Sequence, residues 1–235
     1  MTTFLLNDRT ALDAGALTPS LSLSEQEKVR RVVVTHAHFD HVATLPFFFE
    51  NVYGRTDQID ILAPADVLTP LRKHLFNDTL WPDFSRLPSR QHASLKFRPL
   101  REGRPYCADG LTIMPIAVSH IVPTYGYRIS VPGASILFSG DTGPTRRLWR
   151  VADETEDLKA IFLEVSFGND LAPVARASKH LTPSMLPREI GKTRRKVPVY
   201  LYHMKPPSLS AIEREVAALD IDRLEILEEG QTLEF

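Results

Sequence analysis

Apolar residues recur along this chain in short runs, and several of the runs end directly before a polar residue that can bind a metal or move a proton. The runs are rich in β-branched and aromatic side chains, which predicts buried strands. The predicted strands cover residues 31–34, 59–64, 95–97, 111–118, 125–131, 135–138, 158–164, 197–202 and 224–227. The stretches between them predict helices over 65–76, 145–153, 181–190 and 208–219. Strands that alternate with helices indicate an α/β fold.

Turn-forming residues add detail to this pattern. The first residues predict a hairpin, with strands over 3–6 and 10–15, and a short capped helix is expected over 24–27. A helix over 42–52 would carry Pro46 near its first turn, where proline is tolerated. Pro132 and Gly133 predict the turn between two later strands.

Residues 77–94 have no clear period and mix turn formers with aromatic side chains. A long irregular segment in a compact domain is often functional. Two interpretations stay open for Trp81 and Phe84. They anchor a surface loop, or they belong to a lid and contact the substrate.

Composition narrows the class of protein. The 235 residues are 43 % hydrophobic and 24 % charged, as in an ordinary globular protein, and they predict a single domain over 1–235. The net charge of −1 does not favour nucleic acid as a partner. Cys107 is the only cysteine, so no intrachain disulfide forms, which is typical of the cytoplasm. No apolar run approaches membrane-spanning length, and no membrane contact is expected.

Four side chains that bind metals fall within six residues directly after the first long apolar strand: His36, His38, Asp40 and His41. Alternate residues of an extended segment share one side, so the first three point the same way, and a turn lets His41 join them. Imidazole and carboxylate without thiolate suit zinc, manganese or iron. The motif therefore predicts a metal site at a strand end, and a chance histidine-rich loop is the weaker interpretation.

The spacing His-X-His-X-Asp-His after an apolar strand resembles the metallo-β-lactamase superfamily of binuclear metallohydrolases. The resemblance implies a four-layer αββα sandwich with two divalent metal ions, zinc in the first place, with manganese or iron as alternatives. It also implies three later ligands, and His120, Asp141 and His203 follow three further strands in the family's order. The implied ligands divide into His36, His38 and His120 for one metal, Asp40, His41 and His203 for the other, and Asp141 as the bridge.

Segments 139–143, 163–167, 179–183 and 203–206 resemble one branch of that superfamily, the class II cyclic-nucleotide phosphodiesterases, which are kin of tRNase Z. With the ligands, the resemblance spans roughly residues 3–210. It implies hydrolysis of a 3′,5′-cyclic nucleotide, such as cAMP, to the 5′-monophosphate.

The same resemblance assigns roles to residues beyond the ligands. His180 is surplus to the metal count, and it would protonate the leaving ribose oxygen. Glu164 would orient His180, and Asp40 would orient the attacking water in addition to binding metal. Lys205, with Trp81 and Phe84, is expected to bind the substrate.

Two alternatives stay open, one within the enzymes and one outside them. Another phosphodiesterase activity, such as RNA 3′ processing or cleavage of a phosphonate-derived cyclic phosphate, uses the same ligands. RNA is disfavoured because the chain shows no long basic arm. A diiron redox- or oxygen-sensing module shares the fold, but such members resemble a pattern with Glu where His38 stands. The expected partner is a small phosphodiester, and a homodimer stays open.

Overall fold

Strands and short helices alternate through the chain, and the computed structural model describes all residues 1–235. The chain divides into two compact units, Met1–Leu100 and Arg101–Phe235. Each unit contains one β-sheet. This mixed architecture confirms the predicted α/β class, whereas a single domain over 1–235 stays a prediction.

The first unit is built on a five-stranded sheet whose spatial order follows the chain. Its strands are β1 (Phe4–Asn7), β2 (Thr10–Leu12), β3 (Arg31–Val33), β4 (Ile59–Pro64) and β5 (Leu95–Leu100). β1 and β2 pair antiparallel, and β2 to β5 run parallel. Leu12 pairs with Val33 at the carboxyl ends of β2 and β3, so the residues that follow both strands emerge side by side.

Helices connect these strands. They are α1 (Leu17–Ser20), α2 (Leu23–Gln26), α3 (Phe39–Val42), α4 (Leu45–Asn51) and α5 (Ala65–Pro70), which continues as a π-helical turn over Leu71–Leu75. Phe48 and Phe49 of α4 are fully buried, and Phe49 contacts Phe76 and Phe84. Aromatic burial of this kind supplies much of the hydrophobic stabilisation of a small unit.

The second unit is built on a seven-stranded sheet with the order β12-β11-β10-β9-β8-β7-β6. Its strands are β6 (Tyr106–Ala108), β7 (Leu111–Ala117), β8 (Tyr125–Val131), β9 (Ala134–Phe138), β10 (Leu158–Glu164), β11 (Val199–Tyr202) and β12 (Leu224–Ile226). β6 to β9 form an antiparallel meander, and β9 to β12 are parallel. The carboxyl ends of β9, β10 and β11 therefore meet at one edge of the sheet.

The helices of the second unit are α6 (Arg147–Glu154), α7 (Ala172–Ser178), α8 (Leu186–Ile190) and α9 (Leu209–Ala217). Trp149 of α6 lies in the core with 1 % of its surface exposed. Its indole N–H donates to Glu189 Oε2 of α8 over 2.9 Å. This bond satisfies the one polar atom of a large buried side chain and links the two helices.

The predicted strands over 59–64 and 158–164 are confirmed with the same bounds. The hairpin turned at Pro132 and Gly133 is confirmed too, and its second strand begins at Ala134, one residue earlier than predicted. The helix start predicted at Ser24 is wrong, because Ser22 caps α2 in a reciprocal capping box with Glu25. The predicted helix over 42–52 is the shorter α4, with α3 separate before it. β6 and α7 were not predicted.

None of the helices combines the length and the apolar character that crossing a membrane requires.

Candidate metal centre

The first unit gathers three histidines and an aspartate around the start of α3. His36 and His41 are fully buried, and His38 and Asp40 are half-buried. His38 occupies the N-cap position of α3, which places Asp40 and His41 in its first turn. His36 Nε2 lies 3.0 Å from His38 Nδ1. Metal–nitrogen bonds are about 2.0–2.1 Å long, so one ion can bind both atoms at this separation.

A buried aspartate from the end of β2 supports this cluster. Asp13 accepts the Thr35 N–H over 2.8 Å, and its Oδ2 lies 2.7 Å from His41 Nδ1. The Thr35 hydroxyl donates to the same carboxylate and lies 3.0 Å from His36 Nδ1. Since that hydroxyl gives its hydrogen to Asp13, it accepts from His36. Asp13 therefore holds His41 directly and His36 through Thr35.

Gly15 brings the backbone of this loop close to α3. A Cβ at Gly15 would lie 2.8 Å from the Asp40 carbonyl carbon and closer still to its oxygen, so only glycine fits. The Asp40 carbonyl accepts the Thr2 N–H over 2.9 Å, and the His41 carbonyl accepts the Ala14 N–H over 2.7 Å. Backbone contacts thus fix Asp40 and His41 from outside the motif.

The second unit gathers its polar residues at the edge where β9, β10 and β11 end. Asp141 follows β9, Glu164 ends β10 and His203 follows β11. Asp141 Oδ2 lies 3.2 Å from His203 Nε2, and both side chains are buried. Potential ligand atoms of Asp141, His180 and His203 all lie within 4.8 Å of one another. His203 has a left-handed φ of 69°, which is rare for a non-glycine residue and common at functional sites.

His120, which follows β7, belongs to the same unit and is 6 % exposed. Its Nδ1 lies 3.2 Å from the carbonyl oxygen of Lys179. A carbonyl only accepts, so His120 Nδ1 carries the proton and Nε2 keeps its lone pair.

His180 is the remaining histidine of the second unit, and a buried carboxylate binds it. Its Nδ1 lies 2.8 Å from Glu164 Oε1 and 3.1 Å from Ser166 Oγ. Burial by itself lowers the pKa of His180, but the hydrogen bond to Glu164 and the negative charges of Glu164 and Asp141 outweigh it, so the pKa is raised. Glu164 also accepts the Thr142 N–H over 3.0 Å, which ties it to the loop that carries Asp141.

The donors in each unit fit a divalent metal. His36, His41 and His120 each direct Nδ1 at an oxygen acceptor, which leaves Nε2 as the metal-binding atom. Partners of this kind set the tautomer and the ring orientation of zinc-binding histidines. The cluster supplies imidazole and carboxylate without thiolate, and Cys107 is exposed and lies outside every motif. These clusters support divalent metal binding and do not select the element.

The three residues predicted to bind substrate, Lys205, Trp81 and Phe84, contact different side chains. The Lys205 ammonium donates to His203 Nε2 over 3.0 Å. Trp81 is half-buried against Phe47, with ring centroids 5.0 Å apart. Phe84 is only 5 % exposed and stacks on Phe49, so it anchors its segment. Substrate binding by these three residues stays a prediction.

Trp81 and Phe84 line a depression of about 530 Å³ in the first unit, together with Glu50, Tyr53, Leu80 and Leu87. Its lining is mostly apolar, and Leu80 and Tyr53 are 62 % and 51 % exposed. A volume of this size can hold a small ligand.

Sequence reasoning did not assign roles to Asp13, Thr35, Ser166 or Lys179. Asp13 offers a signal, because it follows a strand and precedes Ala-Gly directly. Ser166 offers another, since it stands two residues after Glu164 and donates to Glu164 Oε2 over 3.0 Å. Lys179 has no such signal, since its contact with the His120 ring is made by its backbone carbonyl.

A family described as "Beta-lactamase superfamily domain" matches residues 7–204 of the chain. Because this match covers most of the sequence, the chain belongs to that family. The match and the two-sheet α/β architecture confirm the resemblance and the predicted metallo-β-lactamase type of fold.

Two relatives carry names that bear on chemistry. A probable 3′,5′-cyclic-nucleotide phosphodiesterase from Yersinia pestis is 28 % identical over 209 residues, which cover 77 % of this chain and 58 % of the relative. A ribonuclease Z from Mycobacterium bovis is 31 % identical over 137 residues, which cover 52 % of this chain and 47 % of the relative. The chain thus spans about half the length of these relatives.

Two solved structures share the fold. Unliganded yeast PDE1 has a TM-score of 0.76 at 22 % identity, covering 88 % of this chain and 69 % of that one. The metallo-β-lactamase fold protein YhfI from Bacillus subtilis has a TM-score of 0.73 at 18 % identity, covering 99 % of this chain and 90 % of that one.

Proposed function

We propose that the chain is a metal-dependent phosphodiesterase that hydrolyses 3′,5′-cyclic nucleotides, such as cAMP, to 5′-monophosphates. The observation that carries the proposal is the group formed by Asp141, His180 and His203 with Glu164 behind it. A metal site alone fits many hydrolases, but a buried histidine–glutamate pair beside it adds a proton donor. The name of the Yersinia pestis relative supports the same chemistry.

The proposed metal ligands come from both halves of the sequence in the family's order. They are His36, His38 and His120 for one ion, Asp40, His41 and His203 for a second, and Asp141 as the bridge. Two divalent ions, zinc in the first place, would act as Lewis acids that lower the pKa of water and neutralise phosphate charge.

The residues around the ions divide the remaining work. Asp40 would accept a hydrogen bond from the attacking water and orient it. His180 would donate its Nε2 proton to the departing O3′, because Nδ1 is engaged by Glu164 at 2.8 Å. Glu164 would keep the His180 ring in place through that bond, and its own position is held by the Thr142 N–H and Ser166.

Substrate contacts complete the proposal. The ammonium of Lys205, which lies beside His203, would bind a nonbridging phosphate oxygen. The depression lined by Trp81 would accept the base, since an aromatic face stacks on any nucleobase. Phe84 would act there as a buried wall, given its contacts with Phe49 and Tyr53.

The test is a substrate panel on the purified chain. Metal-free protein is reloaded in turn with zinc, manganese and iron, and each form is assayed with cAMP, cGMP and bis-(p-nitrophenyl) phosphate. The proposal expects metal-dependent release of 5′-monophosphate. Hydrolysis of the nitrophenyl diester without turnover of either cyclic nucleotide would overturn the substrate assignment and keep the phosphodiesterase class.

RNA 3′ processing is the second candidate, and the ribonuclease Z relative favours it. A precursor tRNA with a 3′ trailer, added to the same panel, separates the two. Cleavage of the trailer with no action on cyclic nucleotides would replace the first candidate. A cytoplasmic location and a homodimer belong to the proposal as well, and sedimentation of the purified chain checks the dimer.

A further inference from the structure

Lys179 directly follows α7 as its C-cap residue and has a backbone conformation that lysine rarely adopts. Its φ of 54° and ψ of 58° lie in the left-handed region, where glycine is the usual residue at a helix end. The N–H of Lys179 still bonds back to the last turn, through the carbonyl of Arg176 over 3.3 Å. A strained residue of this kind persists only where its surroundings hold it.

Two contacts join Lys179 to His120, which lies 59 residues earlier in the chain. The carbonyl oxygen of Lys179 lies 3.2 Å from His120 Nδ1, and the Lys179 ammonium donates to the His120 carbonyl over 2.9 Å. One residue therefore holds both the ring and the backbone of His120. The ring contact depends on the left-handed backbone, whereas the ammonium contact depends on the side chain.

The loop that carries Asp141 packs against the same backbone. A Cβ at Gly143 would lie 3.3 Å from the Cα of Lys179, and the Gly143 N–H donates to the Ser119 carbonyl over 2.7 Å. The next residue, His180, donates its N–H to Ala175 over 2.8 Å. The position of the Lys179 carbonyl is thus set by α7 on one side and by this loop on the other.

We propose that Lys179 is a positioning residue for the metal ligand His120. Its carbonyl fixes the proton on Nδ1 and so presents Nε2 to the metal, and its ammonium fixes the strand end from which the ring projects. The inference rests on the proposed ligand role of His120. Partners of ligating histidines that act in this way usually contribute about 10–100-fold to metal affinity.

Three substitutions separate the two contacts. Lys179→Met removes the ammonium and leaves the backbone preference nearly unchanged. Lys179→Val removes the ammonium and also disfavours the left-handed conformation, because its side chain is β-branched. Lys179→Gly removes the ammonium and favours that conformation. Lys196→Met, at an exposed lysine of the same unit, is the matched control.

Zinc affinity is measured by competition with a chelating dye, and the visible absorption of the cobalt(II) protein reports the ligand geometry. We expect Lys179→Val to bind zinc about 10–100-fold more weakly than the native chain. Lys179→Met and Lys179→Gly should lose less, and the control should lose nothing. The cobalt spectrum should change most in the Val variant. Urea unfolding of each metal-free variant shows that the chain is folded.

Equal zinc affinity in the Met, Val and native proteins would overturn the proposal. If the Gly variant binds as weakly as the Val variant, the backbone does not position His120 and the carbonyl contact is refuted. Should the Val variant not fold, the Met and Gly variants decide, since both must bind zinc more weakly than the native chain and more tightly than a His120→Ala protein, and native affinity in both would overturn the proposal. If the variants rank in zinc affinity as expected but the native chain hydrolyses no phosphodiester, the proposed function is refuted and this inference stays intact.

Discussion

Asp13 is a buried carboxylate on which a backbone amide, a hydroxyl and an imidazole of the first unit all depend. Asp13→Asn keeps the shape and the left-handed backbone, with φ of 58°, because asparagine also tolerates that region. One N–H of the asparagine side-chain amide must then face a hydrogen-bond donor, and this costs about 1–3 kcal/mol. We expect the free energy of unfolding of the metal-free protein to fall by that amount in urea titrations.

Zinc affinity of the Asp13→Asn protein should fall by about 10–100-fold as well, because His41 loses its orienting acceptor. Asp8→Asn, an exposed aspartate in the turn between β1 and β2, is the control and should change neither quantity. Native stability and native zinc affinity in Asp13→Asn would show that the carboxylate supports neither His41 nor Thr35.

His180 is the residue at which chemistry and metal binding can be separated. A general acid contributes about 10²–10⁴-fold, and a ribose oxygen needs the proton far more than p-nitrophenolate, which is stable as an anion. His180→Ala should therefore lose much more activity on cyclic nucleotide than on bis-(p-nitrophenyl) phosphate. Its metal content per chain, measured by elemental analysis, should equal that of the native protein.

His92→Ala removes an exposed histidine and serves as the matched control. Equal losses on both substrates would mean that His180 binds phosphate and donates no proton. Loss of metal in His180→Ala would make His180 a ligand, and the assignment of His203 would then be reopened, since the two rings lie 5.9 Å apart.

At the residue scale, the sequence predicts ligands better than it predicts their supports. His36, His38, Asp40 and His41 could be singled out because four metal-binding side chains stand together after a strand. Asp13 and Lys179 act across 28 and 59 residues of sequence, through a carboxylate and a backbone carbonyl. No local sequence pattern marks such contacts, and composition does not reveal that a lysine has a left-handed backbone conformation.

At the element scale, strands were predicted more accurately than helices. β4 and β10 are mostly apolar and almost entirely buried, as expected of parallel strands, and each has one charged residue in its second position, Asp60 and Lys159. The helices are short, and α7 begins after Asn169–Leu171 with proline in its first turn, so its apolar period is too brief to detect. β6 was missed for the same reason, being a three-residue edge strand.

A further prediction concerns Trp81 in the irregular segment 77–94. Its ring lines the depression of the first unit and packs edge-on against Phe47. If the base stacks there, Trp81→Ala should lose about 1–3 kcal/mol of nucleotide binding, or roughly 5–150-fold in KM for cyclic nucleotide. Activity on the nitrophenyl diester should change little.

Thr79→Ala, at an exposed neighbour in the same segment that does not line the depression, is the control for a general loosening of the loop. Equal losses of Trp81→Ala on both substrates, or an equal effect of Thr79→Ala, would assign Trp81 to structure. Steady-state kinetics on the two substrates therefore decides between the two interpretations that the sequence left open.

At the scale of the whole molecule, each compact unit holds part of the proposed ligand set. The first contains the His-X-His-X-Asp-His motif, and the second contains His120, Asp141 and His203. Each part has its own supporting hydrogen bonds, from Asp13 in one and from Lys179 and Glu164 in the other. The family's order of ligands, and not the bulk composition, predicts that the two parts serve the same ions.

Metal binding tests that prediction on the intact chain. An ion that binds only the folded protein adds about 2.7 kcal/mol at a hundredfold excess over Kd, which raises Tm by roughly 5–11 °C for a chain of this size. Zinc should produce such a shift in metal-free protein, and a chelator should reverse it.

Asp141→Ala should abolish the shift and lower the metal content, because one bridging carboxylate would serve both ions. His41→Ala and His203→Ala, one from each unit, should each reduce the shift of a single shared transition. Two separate thermal transitions, with the zinc shift of one untouched by a ligand mutation in the other unit, would refute both the single domain and the shared ions.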